Sequence, residues 1–365
     1  MSVLRLIFET FPGLPLIVLA GLAMYIAGKA LGDALVGGRA DLPGRLAIAQ
    51  WLPIAVLAIA AAATDRPAIA MGLIFSASIA CLCLSAGAVA TLGLFPSPAP
   101  RLSWTLLLPA ALLASLAGFQ SAVSLPIAGL FAVQGLAVLV LWDHRSAAGT
   151  EPSPPFILNR RMYFRIAQLI LAALVAVVGA WLALHGLEEV SVGSEPASSG
   201  LLTATILSPL LILPMIGTST ELAQRNRGSM AVDAPMGVAL LNICALLPIV
   251  VMVADAKQWL LQRLLPRFKA PWVVDGLLPR LHLQPTPLVP PAVFELHPFP
   301  FPLGVWRVDV VLLTALGLFL MPVALGRWSL SRRQGLGMMV GYAIYLMLAI
   351  QYQRYLIYGI LDKTQ

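Results

Sequence analysis

The chain is a succession of apolar runs of about twenty residues, each ended by a short cluster of charge, Pro or Gly. A run of that length crosses a bilayer core as a helix, and its repetition is the strongest constraint on the fold. Only 11% of the 365 residues are charged and 59% are hydrophobic, against about 25% charged in a soluble domain. A soluble enzyme is excluded, and an all-α polytopic membrane protein is expected. The net charge of +7 does not point to nucleic acid, because the basic residues fall in the breaks between runs, where membrane orientation accounts for them. Cys81, Cys83 and Cys244 lie inside apolar runs, so neither a disulfide framework nor a metal-binding CxxC is present. No cofactor is expected.

Ten transmembrane helices are predicted, over about 13–32, 46–63, 68–93, 103–120, 124–142, 166–186, 201–222, 233–254, 308–326 and 336–359. The first is read as a retained helix rather than a cleaved signal, since Arg5 is the only basic residue before it and no small-residue cleavage site follows. One set of alternate short loops carries the 13 basic residues Lys29, Arg39, Arg45, Arg101, Arg145, Arg160, Arg161, Arg165, Arg225, Arg227, Arg327, Arg332 and Arg333; the other carries the 3 residues Arg5, Arg66 and Lys363. Basic loops stay on the cytoplasmic side, so both termini are predicted extracytoplasmic in a multi-pass protein of the cell inner membrane.

The segment 255–307 is the one long piece expected outside the spans. Its prolines, with Pro290-Pro291 and Pro298, Pro300 and Pro302 among them, prevent a regular helix or sheet over most of it. The stretch from Lys257 to Phe268 mixes Trp259 and four leucines with Lys257, Arg263 and Arg267, as in a helix lying in the membrane interface. The segment is either a cover over the helices or a place for a protein partner. His282 and His297 have no Cys or carboxylate at ligand spacing and read as solvated loop residues.

The chain divides evenly into a first five-helix half at 1–142, a polar cytoplasmic linker at 143–165 and a second five-helix half at 166–365. An odd number of spans per half places the halves in opposite orientation, as an inverted repeat requires. Helices two and three read Trp51-Leu52-Pro53-Ile54, then Thr64-Asp65-Arg66-Pro67, then a span with Met71-Gly72. Helices seven and eight read Leu213-Pro214-Met215-Ile216-Gly217-Thr218-Ser219-Thr220-Glu221, then Arg225 to Asp233, then a span with Met236-Gly237. Gly72 and Gly237 suit close helix crossing in lipid.

In these residues the chain resembles the sodium/calcium exchanger superfamily of cation antiporters. Each half of that family carries a Gly-Thr-Ser turn followed by Pro-Glu, a turn containing Asp, then Gly-Asn and Gly-Ser-Asn on the next helix. The second copy here keeps Gly217-Thr218-Ser219, Glu221, Asp233, Gly237 and Asn242. Asp309, Arg327, the Ser331-Arg332-Arg333-Gln334-Gly335 loop, Tyr342 and Tyr345 are similar to the family's C-terminal region. The resemblance implies two inverted five-helix repeats, inorganic cations as cargo, and ion binding by Glu221, Thr218, Ser219 and Asn242, with Ser78 from the first copy and Gly72, Gly217 and Gly237 as structural glycines. The first copy departs from the pattern: Gln50 and Trp51 replace the Thr-Ser pair, Ile54 replaces Glu, and Leu73 and Ala77 replace Asn and Ser. In the second, Glu221 comes one residue early and Leu240-Leu241 replaces Gly-Ser.

A carboxylate inside a membrane helix costs about 2.5–3.5 kcal/mol on insertion scales, so one found there is read as functional. Glu221 is the leading candidate, with Thr218 and Ser219 within one turn and a break at Pro214 and Gly217 to free backbone carbonyls. The alternative is that Glu221 lies at the helix end and pairs with Arg225 at i,i+4. Ser76, Ser78, Cys81 and Asn242 read individually as packing polar groups, and Asp33, Asp65, Asp233 and Asp309 as residues of turns and helix edges. One carboxylate is too few for Ca²⁺, which takes six to eight oxygens, so a monovalent cation or H⁺ is expected. Two readings follow: a secondary antiporter working around Glu221, or a transport-inactive scaffold or complex subunit of the same fold. An enzyme is not expected, since no span carries a catalytic pair.

Overall fold

The computed structural model describes residues 13–36, 43–64, 66–120, 122–148, 160–190, 207–264, 299–302 and 305–361. Asp65, most of the 255–307 segment with His282 and His297, and both extreme termini lie outside them. The described residues are almost all helical. They form α1 (Gly13–Val36), α2 (Pro43–Ala63), α3 (Pro67–Ala80), a π-helical turn (Cys81–Ala86) leading into α4 (Gly87–Thr91), a 3₁₀ turn (Leu102–Leu106), α5 (Leu107–Phe119), α6 (Leu125–Ala148) and α7 (Arg160–Val190). After them come α8 (Ser208–Gln224), α9 (Gly228–Leu241), a second π turn (Asn242–Leu246), α10 (Leu247–Leu264), a third (Val305–Val310), α11 (Val311–Ala324) and α12 (Arg332–Leu361). Two short strands, β1 (Ala122–Val123) and β2 (Phe299–Pro300), pair antiparallel with Ala122 opposite Pro300.

Helix ends follow local chemistry. Pro67 sits in the first turn of α3, where its missing N–H costs nothing. The segments ending in α4, α8 and α11 stop at residues of positive φ, Gly93 (72°), Asn226 (59°) and Gly326 (71°), after which a backbone N–H reaches back into the last turn: Leu94 to Val89, Arg227 to Leu222 and Arg327 to Pro322. This is the left-handed helix stop that Gly and Asn favour. At the start of α12, Ser331 N–H donates to Gln334 Oε1 at 2.8 Å and Gln334 N–H to Ser331 Oγ at 3.4 Å, a capping box.

Several helices run beyond the expected spans. Helix α6 continues to Ala148 and α7 begins at Arg160, so both ends of the expected linker are helical. Helix α10 runs from Leu247 to Leu264 without a break, so residues 257–264 prolong the preceding helix rather than start a separate one. Helix α9 begins at Gly228, and Asp233 is therefore inside it rather than capping it. No break occurs at Pro214 either: α8 is continuous through it, and the Thr218 hydroxyl donates to the Pro214 and Met215 carbonyls at 3.0 and 3.1 Å. The interruptions of α geometry fall instead on the π turns.

Helices α2, α3, α8 and α9 make the centre; α1 and α7 pack on α8 and α2 from one side, and α5, α6, α11 and α12 close the other. Among the described residues, five helices are long and apolar enough to cross a membrane: Leu46–Ala63, Pro67–Thr91, Leu102–Phe119, Gly228–Lys257 and Arg307–Ala324. Large apolar side chains such as Val18, Leu22, Leu136, Leu171, Trp181, Ile344 and Met347 stand exposed on the outer helices, while Ser76, Ser78, Ser85, Thr218 and Asn242 are buried. Apolar outside and polar inside is the arrangement of a multi-pass membrane protein in lipid.

Candidate functional site

Two segments of equal length carry the centre. Helix α3 runs fourteen residues from Pro67 into the π turn at Cys81, and α9 runs fourteen from Gly228 into the π turn at Asn242. Helices so interrupted are common at functional sites, because a π turn shifts the carbonyls out of the regular ladder. Measured from the helix starts, Met71-Gly72 and Met236-Gly237 are not in register: they stand at the fifth and sixth residues of α3 and the ninth and tenth of α9, one helical turn apart.

Across this centre the first half is hydrogen-bonded to the second by neutral side chains. Gln50 Nε2 on α2 donates to Thr218 Oγ1 on α8. The Ser76 hydroxyl on α3 bonds the Gly72 carbonyl and the Ser208 hydroxyl at the start of α8. Ser85 Oγ, in the first π turn, donates to Ser219 Oγ at 3.0 Å. Ser78 Oγ bonds Ile74 O at 2.6 Å and reaches Ala239 O on α9 at 3.4 Å. All these side chains are buried, so the links form in low dielectric, where an unmade bond is costly.

The seam is not fully satisfied. Asn242, completely buried at the opening of the second π turn, has no hydrogen-bond partner for either Oδ1 or Nδ2 among the described residues, and Gln50 Oε1 has none. Buried amides without partners are rare enough that each calls for a physical reason.

Glu221 lies elsewhere. It occupies the last turn of α8 and pairs with Arg225, whose Nη2 stands 2.6 Å and Nε 2.8 Å from Glu221 Oε1. Both side chains are partly exposed, 25% and 42%, and the pair is the i,i+4 arrangement left open above. The seam itself contains no carboxylate among the described residues. Thr218 and Ser219 are brought together with Gln50 and Ser85, Ser78 faces α9, and Asn242 stands apart from their hydrogen bonds. Gly217 faces the Tyr25 ring at ordinary distance, 3.5 Å from the place of a Cβ, whereas helical glycines make tight crossings at Gly135 against Cys244 O and Gly335 against Thr91 N. Gly72 and Gly237 are buried inside α3 and α9. Ser85 and Ser208 were not singled out by the motif; a hydroxyl isolated in an apolar run was the available signal.

No cluster of three or more His, Cys, Asp or Glu side chains able to hold a metal ion occurs among the described residues. The oxygens of the seam are those of hydroxyls, amides and backbone carbonyls.

Fold and seam together define a multi-pass membrane protein with the sodium-calcium exchanger fold. Solved structures of the exchanger NCX_Mj match over nearly their full length: soaked with 10 mM Na⁺ and zero Ca²⁺, TM-score 0.62 at 18% identity, covering 93% of this chain and 99% of that one; soaked with 2.5 mM Na⁺ and 1 mM Sr²⁺, 0.61 at 16%, covering 92% and 97%; and soaked with zero Na⁺ and Ca²⁺, 0.57 at 16%, covering 91% and 97%. At such identity the likeness is one of fold. No family model matches the chain, and no curated protein matches it.

Proposed function

We propose that this protein is a secondary active antiporter that carries a monovalent cation, in exchange for another cation or H⁺, through the seam between two inverted five-helix halves. The observation that carries the reading is a pair of buried amides with unpartnered atoms: Gln50, whose Oε1 has no partner while its Nε2 bonds Thr218, beside the Ser85–Ser219 pair, and Asn242, unpartnered at the opening of the second π turn. Helices interrupted at mid-membrane, with oxygens turned inward, are how transporters hold an ion. A shell of neutral oxygens suits a weakly hydrated single charge better than Ca²⁺, which takes six to eight oxygens and usually carboxylates.

In this reading Thr218, Ser219, Ser78 and Asn242 line the path, and Glu221, paired with Arg225 at the end of α8, stands at its mouth, where a carboxylate concentrates cations. Both termini face the extracytoplasmic side of the inner membrane. The equal lengths of α3 and α9 ahead of their π turns support the repeat. Cation-gradient-driven flux of Na⁺, K⁺, Ca²⁺ and H⁺ in proteoliposomes tests the proposal: a monovalent flux without Ca²⁺ flux is expected.

The cross-half hydrogen bonds favour a second reading, in which Gln50–Thr218 and Ser85–Ser219 lock the halves and the protein is a transport-inactive scaffold with partners bound at 255–307. No flux of any cation from a folded, reconstituted protein establishes that reading instead.

A further inference from the structure

A second polar centre lies outside the seam. Asp309, in the π turn that opens onto α11 and packs on α12, is 5% exposed, and it lies beside Tyr345, whose hydroxyl, like that of Tyr342, is buried with no hydrogen-bond partner among the described residues. Tyr342 and Tyr345 are themselves 3% and 2% exposed, and their rings meet at 5.6 Å. Both tyrosines follow the exposed Arg332 and Arg333 at the start of α12 by about three turns, roughly 15–20 Å along the axis, which is the depth of the middle of a bilayer core.

Among the described residues no cation pairs with Asp309. From α12 come the two phenols, with the buried thiols of Cys81 and Cys83 behind Tyr342; α3 and α5, which also pack on the turn, carry no ionisable side chain. Arg307 on the same turn is exposed and does not pair with Asp309. An isolated carboxylate so placed is costly until something neutralises it. A metal cation needs a fuller shell of oxygens, about six for Mg²⁺ and more for Ca²⁺, than one carboxylate and two phenols provide. A proton needs only a carboxylate oxygen and a neighbouring acceptor.

We propose that Asp309 is a proton-binding site inside the membrane, closed over by the Tyr342 and Tyr345 hydroxyls and connected to the seam through the π turn Cys81–Ala86. The connection is short. Cys83 lies in reach of Tyr342, and Ser85, two residues on, hydrogen-bonds Ser219 across the seam, so a change of charge at Asp309 acts on the helix that carries the seam's first-half hydroxyls. The site stands whether or not the seam carries a cation.

Infrared difference spectra of the full chain in liposomes, recorded over a pH series, test it. The expected result is a titrating carboxylic-acid C=O band that is lost in Asp309→Asn and shifted in frequency in Tyr345→Phe, which removes the hydroxyl facing it. A band kept at full strength in Asp309→Asn, or loss only of ionised-carboxylate absorption, overturns the proposal. If Asp309→Asn does not fold, Tyr345→Phe decides: a shifted acid band supports the site, and an unshifted one overturns it. Loss of flux with the titrating band intact would fail the antiporter reading and leave this one standing.

Discussion

Arg101 Nε stands 3.2 Å from Asp233 Oδ1, joining the segment before the 3₁₀ turn to the interior of α9, with the two side chains only 4% and 14% exposed. The guanidinium also lies over the Trp104 ring at 4.8 Å and the Phe95 ring at 5.9 Å, and the Arg101 N–H donates to Ala324 O at 2.7 Å. One arginine thereby ties α9, the end of α11 and the loop after α4 together. Removing one partner of a buried ion pair leaves an uncompensated charge and costs about 3–5 kcal/mol. Thermal melts in detergent are therefore expected to show a large loss for Asp233→Asn or Arg101→Met and partial recovery in the Arg101→Met, Asp233→Leu double variant.

The Glu221–Arg225 pair is of the other kind. Partly exposed pairs contribute about 0–1 kcal/mol, so Glu221→Gln is expected to melt close to wild type. In flux assays the same variant should need a higher cation concentration for half-maximal rate while its maximal rate stays near wild type, as befits a mouth carboxylate.

Ser85 and Ser219, with their hydroxyls 3.0 Å apart, give a direct test of how the halves face one another. In a background without Cys81, Cys83 and Cys244, the pair Ser85→Cys, Ser219→Cys should cross-link on mild oxidation. Ser78→Cys with Ser219→Cys should do so more slowly, because Ser78 is turned to Ile74 O and Ala239 O.

A Cβ on Gly135 would lie 2.8 Å from Cys244 O, and one on Gly335 2.6 Å from Thr91 N. Both neighbours are backbone and cannot step aside, so Ala at either position should cost about 1–3 kcal/mol by overpacking. Ala at Gly129 or Gly337, which face nothing within 4 Å, should leave the melting temperature unchanged.

Five of the expected spans were legible because hydropathy is a local property, and the runs around 46–63 and 103–120 end within a few residues of Ala63 and Phe119. The helices that overran expectation did so on charged or polar turns: Arg160, Arg161 and Arg165 are helical in α7, and hydropathy cannot distinguish a charged helical turn from a loop. Thr218, Ser219 and Asn242 stood together in the motif, but Asn242 does not share the hydrogen bonds of the other two. Gln50, known from the sequence only as a departure from Thr-Ser, is the group that bonds Thr218. The π turns carry no local signature in Cys81–Ala86 or Asn242–Leu246. Asp309 read as a helix-edge residue because the two tyrosines that bury it arrive from more than thirty residues further along the chain.

The most direct test of transport through the seam is monovalent cation flux in proteoliposomes with Asn242→Ala beside wild type. Asn242 has no hydrogen bond to lose among the described residues, so the variant should fold and melt like wild type. If its amide coordinates the cation, flux at low cation concentration should fall about tenfold or more, the equivalent of about 1.4 kcal/mol of lost binding. Undiminished flux in Asn242→Ala, or a Ca²⁺ flux in the wild type, would contradict the account.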